Sequence, residues 1–93
     1  MKGDPVMRKY YVFILATGPD GELDFGVTSN LSDLPPRRLA RLVWCEEHID
    51  LRSTLRRERQ IQHAPADWTR CLINHANPDW ADLRDELAPA RAA

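Results

Sequence analysis

Lys9-Tyr10-Tyr11-Val12-Phe13-Ile14-Leu15-Ala16 is the stretch on which the fold turns. It is aromatic and β-branched, the composition that suits a pleated, half-buried surface. Its near-continuous apolarity predicts burial on both faces, as in the central strand of a sheet. Gly18-Pro19-Asp20-Gly21 follows as a turn, with proline presetting φ and glycine free to take positive φ. Glu22 to Thr28 then alternates polar and apolar side chains, so a second strand closing a hairpin is expected.

Outward from this hairpin, Ser29 to Pro36 reads as loop, because Pro35-Pro36 forbids a helix running through it. Arg41-Leu42-Val43-Trp44-Cys45-Glu46 reads as a third strand. From Asp50, a good helix N-cap, the period becomes helical, and Leu51, Thr54, Leu55, Glu58 and Ile61 fall on one stripe. Pro65 suits the first turn of a second helix with Trp68, Cys71, Leu72 and His75 on one face. Asn77-Pro78-Asp79 breaks and recaps the chain into a third helix, Trp80 to Leu87. The order predicts an α+β, two-layer fold: a small three-stranded antiparallel sheet with helices packed against it. Residues 8–87 are expected to form one domain, with flexible ends at 1–7 and 88–93.

Ninety-three residues can close one core, and 43% hydrophobic with 29% charged residues is ordinary for a globular domain. No stretch approaches the ~20 apolar residues of a membrane span, so no membrane role is expected. Met1 to Met7 lacks the apolar centre of a signal peptide. Cys45 and Cys71 read as reduced thiols, which with the missing leader predicts a cytoplasmic protein. The formal net charge of −1 gives no general attraction to nucleic acid backbone.

Several stretches carry a resemblance in chain order. Tyr10-Tyr11-Val12-Phe13-Ile14-Leu15-Ala16 is similar to the first strand of small bacterial GIY-YIG proteins, and Asp24-Phe25-Gly26-Val27-Thr28 sits where their Tyr-Ile-Gly-Val-Thr sits. Arg41-Leu42-Val43-Trp44, Glu46-Glu47-His48, Arg57-Glu58-Arg59-Gln60-Ile61 and Asn77-Pro78-Asp79-Trp80 follow in the family's order. From Arg8 to Leu87 the chain thus resembles single-domain relatives of the nuclease module of excision-repair and homing endonucleases.

The resemblance implies a tyrosine pair around an attacking water, an arginine against phosphate charge, and a carboxylate for one divalent metal. Here the first tyrosine falls on Phe13, which lacks the hydroxyl; Tyr11 on the same strand face is a partial substitute. The second falls on Asp24, an added negative charge where phosphate would sit. The segment between Thr28 and Arg41 is shorter than the family's, and its arginine is matched by either Arg37 or Arg38. The basic run after the metal-binding helix is replaced by Gln62-His63-Ala64-Pro65-Ala66-Asp67. Glu58 is the retained metal position, read either as a Mg²⁺ ligand, with Asp24 as a second carboxylate, or as a relic paired with Arg41 or Arg57.

Three further patterns have plainer readings. Cys45 and His48 with Cys71 and His75 mimic zinc-ligand pairs, but the first pair would point to opposite faces of a strand. Trp44, Trp68 and Trp80 read as core rather than base-stacking platforms. Arg52, Arg56 and Arg59 are the best nucleic-acid contacts, although the arginines of Arg56-Arg57-Glu58-Arg59 should spread around a helix. The short segment after Thr28 is expected to leave Phe25 and Trp44 without cover, which points to a protein partner or a homodimer.

The expectation is therefore a catalytically degenerate GIY-YIG-like domain that binds a protein, itself, or DNA or RNA weakly, with no cofactor. The alternative is a residual Mg²⁺-dependent, structure-specific endonuclease using Glu58.

Overall fold

The computed structural model describes residues 9–84 other than Pro19 and Arg37. The expected termini, 1–7 and 88–93, therefore lie outside the described residues. Three antiparallel strands form one sheet in the order β2-β1-β3, with β1 Tyr10–Ala16, β2 Leu23–Thr28 and β3 Arg41–His48. Two helices, α1 Leu51–Gln62 and α2 Ala66–Ala76, follow, giving the expected α+β architecture.

β1 is central because its apolar run serves two partners. Val12, Ile14 and Ala16 point to the helices and join Val43, Trp44, Ile61, Ile73 and Trp80 in the core. On the opposite face Leu15 is buried across from Leu42, while Tyr11 and Phe13 are half-exposed, so burial on both faces is only partly realised. The hairpin turn closes through Gly21 N–H to the Gly18 carbonyl at 2.9 Å. No described glycine takes a positive φ, contrary to expectation. Gly21 is needed for close approach instead: a Cβ there would lie 2.0 Å from Thr17 Oγ1.

The register of β1 against β3 shifts between Ile14 and Leu15, leaving Val43 as an extra residue. Buried Asn77 closes this irregularity. Its Nδ2 donates to the Val43 carbonyl at 3.0 Å and the Ala81 carbonyl at 2.9 Å, and its Oδ1 accepts from Ala81 N–H at 3.2 Å. Leu83 N–H adds a bond to the Leu42 carbonyl at 2.8 Å, so residues 77–83 cover the free edge of β3. This is why the predicted third helix does not start at Trp80. Asn77 bonds hold the segment as a turn, Trp80 has φ 52°, and residues 85–87 of that prediction lie outside the described residues.

Both helices are rotated from their expected faces. On α1, Thr54 and Ile61 are buried and Arg57 and Glu58 half-buried, whereas Leu51 and Leu55 are exposed. Arg57 causes this: its guanidinium bonds Glu46 at 3.0 Å and lies 5.9 Å from the Trp44 ring centroid, so a polar residue occupies the inner face. Thr54 tolerates burial because its hydroxyl donates to the Asp50 carbonyl. On α2, Thr69 and Ile73 turn inward, leaving Trp68, Cys71 and His75 exposed. Trp44 and Trp80 are core residues as read, but Trp68 is not.

The segment after Thr28 contains a short 3-10 turn, Leu31–Asp33, capped by Asn30. Phe25 and Trp44 are not left without cover: Trp44 is buried and Phe25 packs against the core that contains Ile61 of α1. The expected bare sheet patch is therefore absent at these residues.

The far end of the described chain is held by charge. Arg84 donates to Asp82 at 2.9 Å and to the Ala40 carbonyl at 2.8 Å, and also bonds the Pro35 carbonyl. Burial alone would raise the Asp82 pKa, but the hydrogen bonds and charge of Arg84 outweigh it and hold the carboxyl below its usual value. A depressed native pKa contributes stability that is present above the unfolded value and lost as pH falls through the native one. Acid titration of the melting temperature should therefore show a fall below about pH 4 that is flattened in Asp82→Asn; identical profiles for the two proteins would contradict it.

Candidate functional site

The positions singled out in the sequence fall on both layers of the molecule, sheet and helices. Tyr11, Phe13 and Asp24 do share a surface. Phe13 pairs with Gly26 and Cys45, Tyr11 with Thr28 and Glu47, and Asp24 with Leu15, placing all three on the sheet face opposite the helices. The Phe13 ring lies directly over Gly26, where an added Cβ would sit 2.4 Å from Cζ. The glycine of the Asp24-Phe25-Gly26-Val27-Thr28 stretch thus seats an aromatic ring without a hydroxyl. Asp24 is exposed beside it.

Cys45 lies across from Phe13 on this face. Burial first, and the charge of Glu47 second, push its thiol up to about 11, so it stays protonated at neutral pH. Cys45 and Cys71 are both free, and Cys45 and His48 face opposite sides of the sheet.

Glu58 belongs to the other layer. It sits half-buried on α1, which packs against the Val12 and Ile14 face. The two carboxylates, Asp24 and Glu58, therefore do not share one face of the sheet. Nor does Glu58 pair with Arg41 or Arg57. Arg41 donates to the Trp80 carbonyl at 3.1 Å, and Arg57 is taken by Glu46 and by Gln60 at 2.8 Å. Among the described residues Glu58 has no hydrogen-bond or ion-pair partner, and no group of three or more His, Cys, Asp or Glu is placed to hold a metal. Arg38 is exposed; Arg37 lies outside the described residues.

Sequence reasoning missed a polar cluster joining β3 to α1. His48 Nε2 meets Glu46 Oε1 at 2.8 Å, and its Nδ1 meets the Ser53 hydroxyl at 3.0 Å. Ser53 N–H in turn caps onto the Asp50 carboxylate at 2.8 Å, the cause that most lowers the Asp50 pKa. Glu46 and His48 share a strand face at i, i+2, a spacing visible in sequence. Its link to Ser53 and Arg57 needs the strand-to-helix connection. The cluster fixes how α1 leaves the sheet.

That exit leaves one broad face open. Arg52, Arg56 and Arg59 gather on the outside of α1 with Leu51 and Leu55, lining a shallow groove of about 490 Å³. Arg57 points the other way, inward to Glu46, so the run of arginines divides between two sides of the helix, with three of them on the outer one. Among the described residues no helix is long and apolar enough to cross a membrane. Compared with known proteins, the chain matches no family model, no curated protein and no solved structure.

Proposed function

We propose that this chain is a GIY-YIG-like domain whose nuclease chemistry is degenerate and which acts by binding. The observation that carries the reading is the seat of Phe13 on Gly26. At the position where the resemblance expects a tyrosine, a ring with no hydroxyl occupies the surface, with the exposed acid Asp24 on the same face. The bare ring of Phe13 offers no hydroxyl to orient a water, and the negative charge of Asp24 repels phosphate. A sequence close to neutral lacks the general field that draws nucleic acid in.

One observation favours the residual-endonuclease alternative. Glu58 is half-buried and unpaired among the described residues, as a metal ligand awaiting Mg²⁺ would be. Incubation of linear, nicked and branched DNA, and of RNA, with the protein in Mg²⁺ or Mn²⁺ separates the two. The binding reading expects no scission.

A further inference from the structure

We infer that the outer face of α1 is a docking site for an acidic amphipathic helix of a partner protein. The inference extends the binding reading above by naming the surface and the chemistry of its occupant. Leu51 and Leu55 are 46% and 49% exposed, one turn apart on the same side of the helix. Arg52, Arg56 and Arg59 run beside them at i, i+4 and i+7. Among the described residues none of these three arginines has an ion-pair or side-chain hydrogen-bond partner.

The face is also fixed in place. Thr54 and Ile61 are fully buried beneath it, Arg57 is tied to Glu46, and Asp50 and Ser53 hold the first turn. A rigid helix with two apolar anchors and a basic flank presents half of a helix-in-groove contact. The complement is a helix with leucine-like side chains one turn apart and glutamates or aspartates beside them.

Other occupants fit less well. Phosphate gains nothing from Leu51 and Leu55, and the chain carries a net charge of −1. A second copy using the same face would set arginines against arginines, which is repulsive.

The test uses fluorescence anisotropy of a labelled helical peptide with leucines at i and i+4 flanked by glutamates. Comparison probes are the same peptide with serine for leucine, a DNA duplex, and phosphatidylserine vesicles. The leucine–glutamate peptide should bind best. Arg52→Glu with Arg56→Glu, and separately Leu51→Ser with Leu55→Ser, should each weaken it about tenfold or more, the scale of 1.4 kcal/mol. All four positions are exposed, and unchanged circular dichroism verifies that the variants fold. Equal binding of the serine peptide, preference for DNA or vesicles, or no binding by any probe overturns the inference. Concentration-dependent dimerisation in sedimentation that Arg56→Glu abolishes, as if Asp67 and Trp68 of a second copy filled the groove, overturns it too. Failure here with no cleavage still leaves the binding reading standing, whereas Glu58-dependent cleavage removes that reading without touching this face.

Discussion

Replacing Asn77 is expected to produce the largest loss of stability of any single polar substitution in the described chain. The amide is buried and makes three hydrogen bonds, one of them to Val43, the extra residue where β1 and β3 lose register. Removing it strands the buried Val43 carbonyl, which costs about 1–3 kcal/mol, and also deletes the two part-buried bonds to Ala81, whose loss water partly offsets. Asn77→Ala should therefore destabilise by about 2–4 kcal/mol, which lowers the melting temperature of a domain this size by about 10–20 °C. Asn77→Asp separates hydrogen bonding from packing. It keeps the shape but replaces the donor facing two carbonyls with an acceptor, so it should be no better than alanine. Thermal melts followed by circular dichroism decide the matter. An aspartate variant as stable as the parent would refute the assignment of these bonds.

Gly26→Val is the second substitution with a large expected effect. A Cβ at this position would meet Phe13 Cζ, Cε2 and Cε1 at 2.4, 2.9 and 3.0 Å, closer than packed carbon atoms tolerate. The ring is at the sheet surface, so it escapes by swinging outward, giving up its seat and exposing apolar area to water. Overpacking of this kind costs about 1–3 kcal/mol. The signature is coupling: in Phe13→Ala the clash has no partner, and valine, a good strand former, should be tolerated or even favoured. A double-mutant cycle in chemical denaturation measures it. Additive effects of the two substitutions would show that the ring does not rest on Gly26.

Much of the scaffold was legible in the chain. The apolar run of β1, the Gly18 to Gly21 turn and the alternation through Phe25 and Val27 carry local signals of strand and hairpin, and the structure has both. Asp50 announces its own helix, and its carboxylate does accept from Ser53 N–H. The faces of the helices were not legible. A hydrophobic stripe counts Leu51 and Leu55 inward and Arg57 outward, but Arg57 reaches both an acid and an indole on β3, and that pairing sets the rotation of α1. Trp68 misled for a related reason: Thr69, with its hydroxyl bonded to the Pro65 carbonyl, takes the inner place on α2.

The candidate site divides the same way. That Phe13 and Asp24 differ from a tyrosine pair is written in the sequence, and their common face follows from strand alternation. The contact of Phe13 with Gly26 depends on register, which no local pattern specifies. Asn77 was readable as a helix breaker, because its neighbour is Pro78. Its bond to β3 was not, since it spans more than thirty residues to an irregular position.

The central claim is that this domain binds and does not cut, and single-turnover cleavage with protein in excess over substrate tests it most directly. Wild type and Glu58→Ala are compared on branched and linear DNA and on RNA, with Mn²⁺ as the more permissive metal. The account predicts that both are indistinguishable from buffer. Strand scission by the wild type that Glu58→Ala abolishes would contradict it.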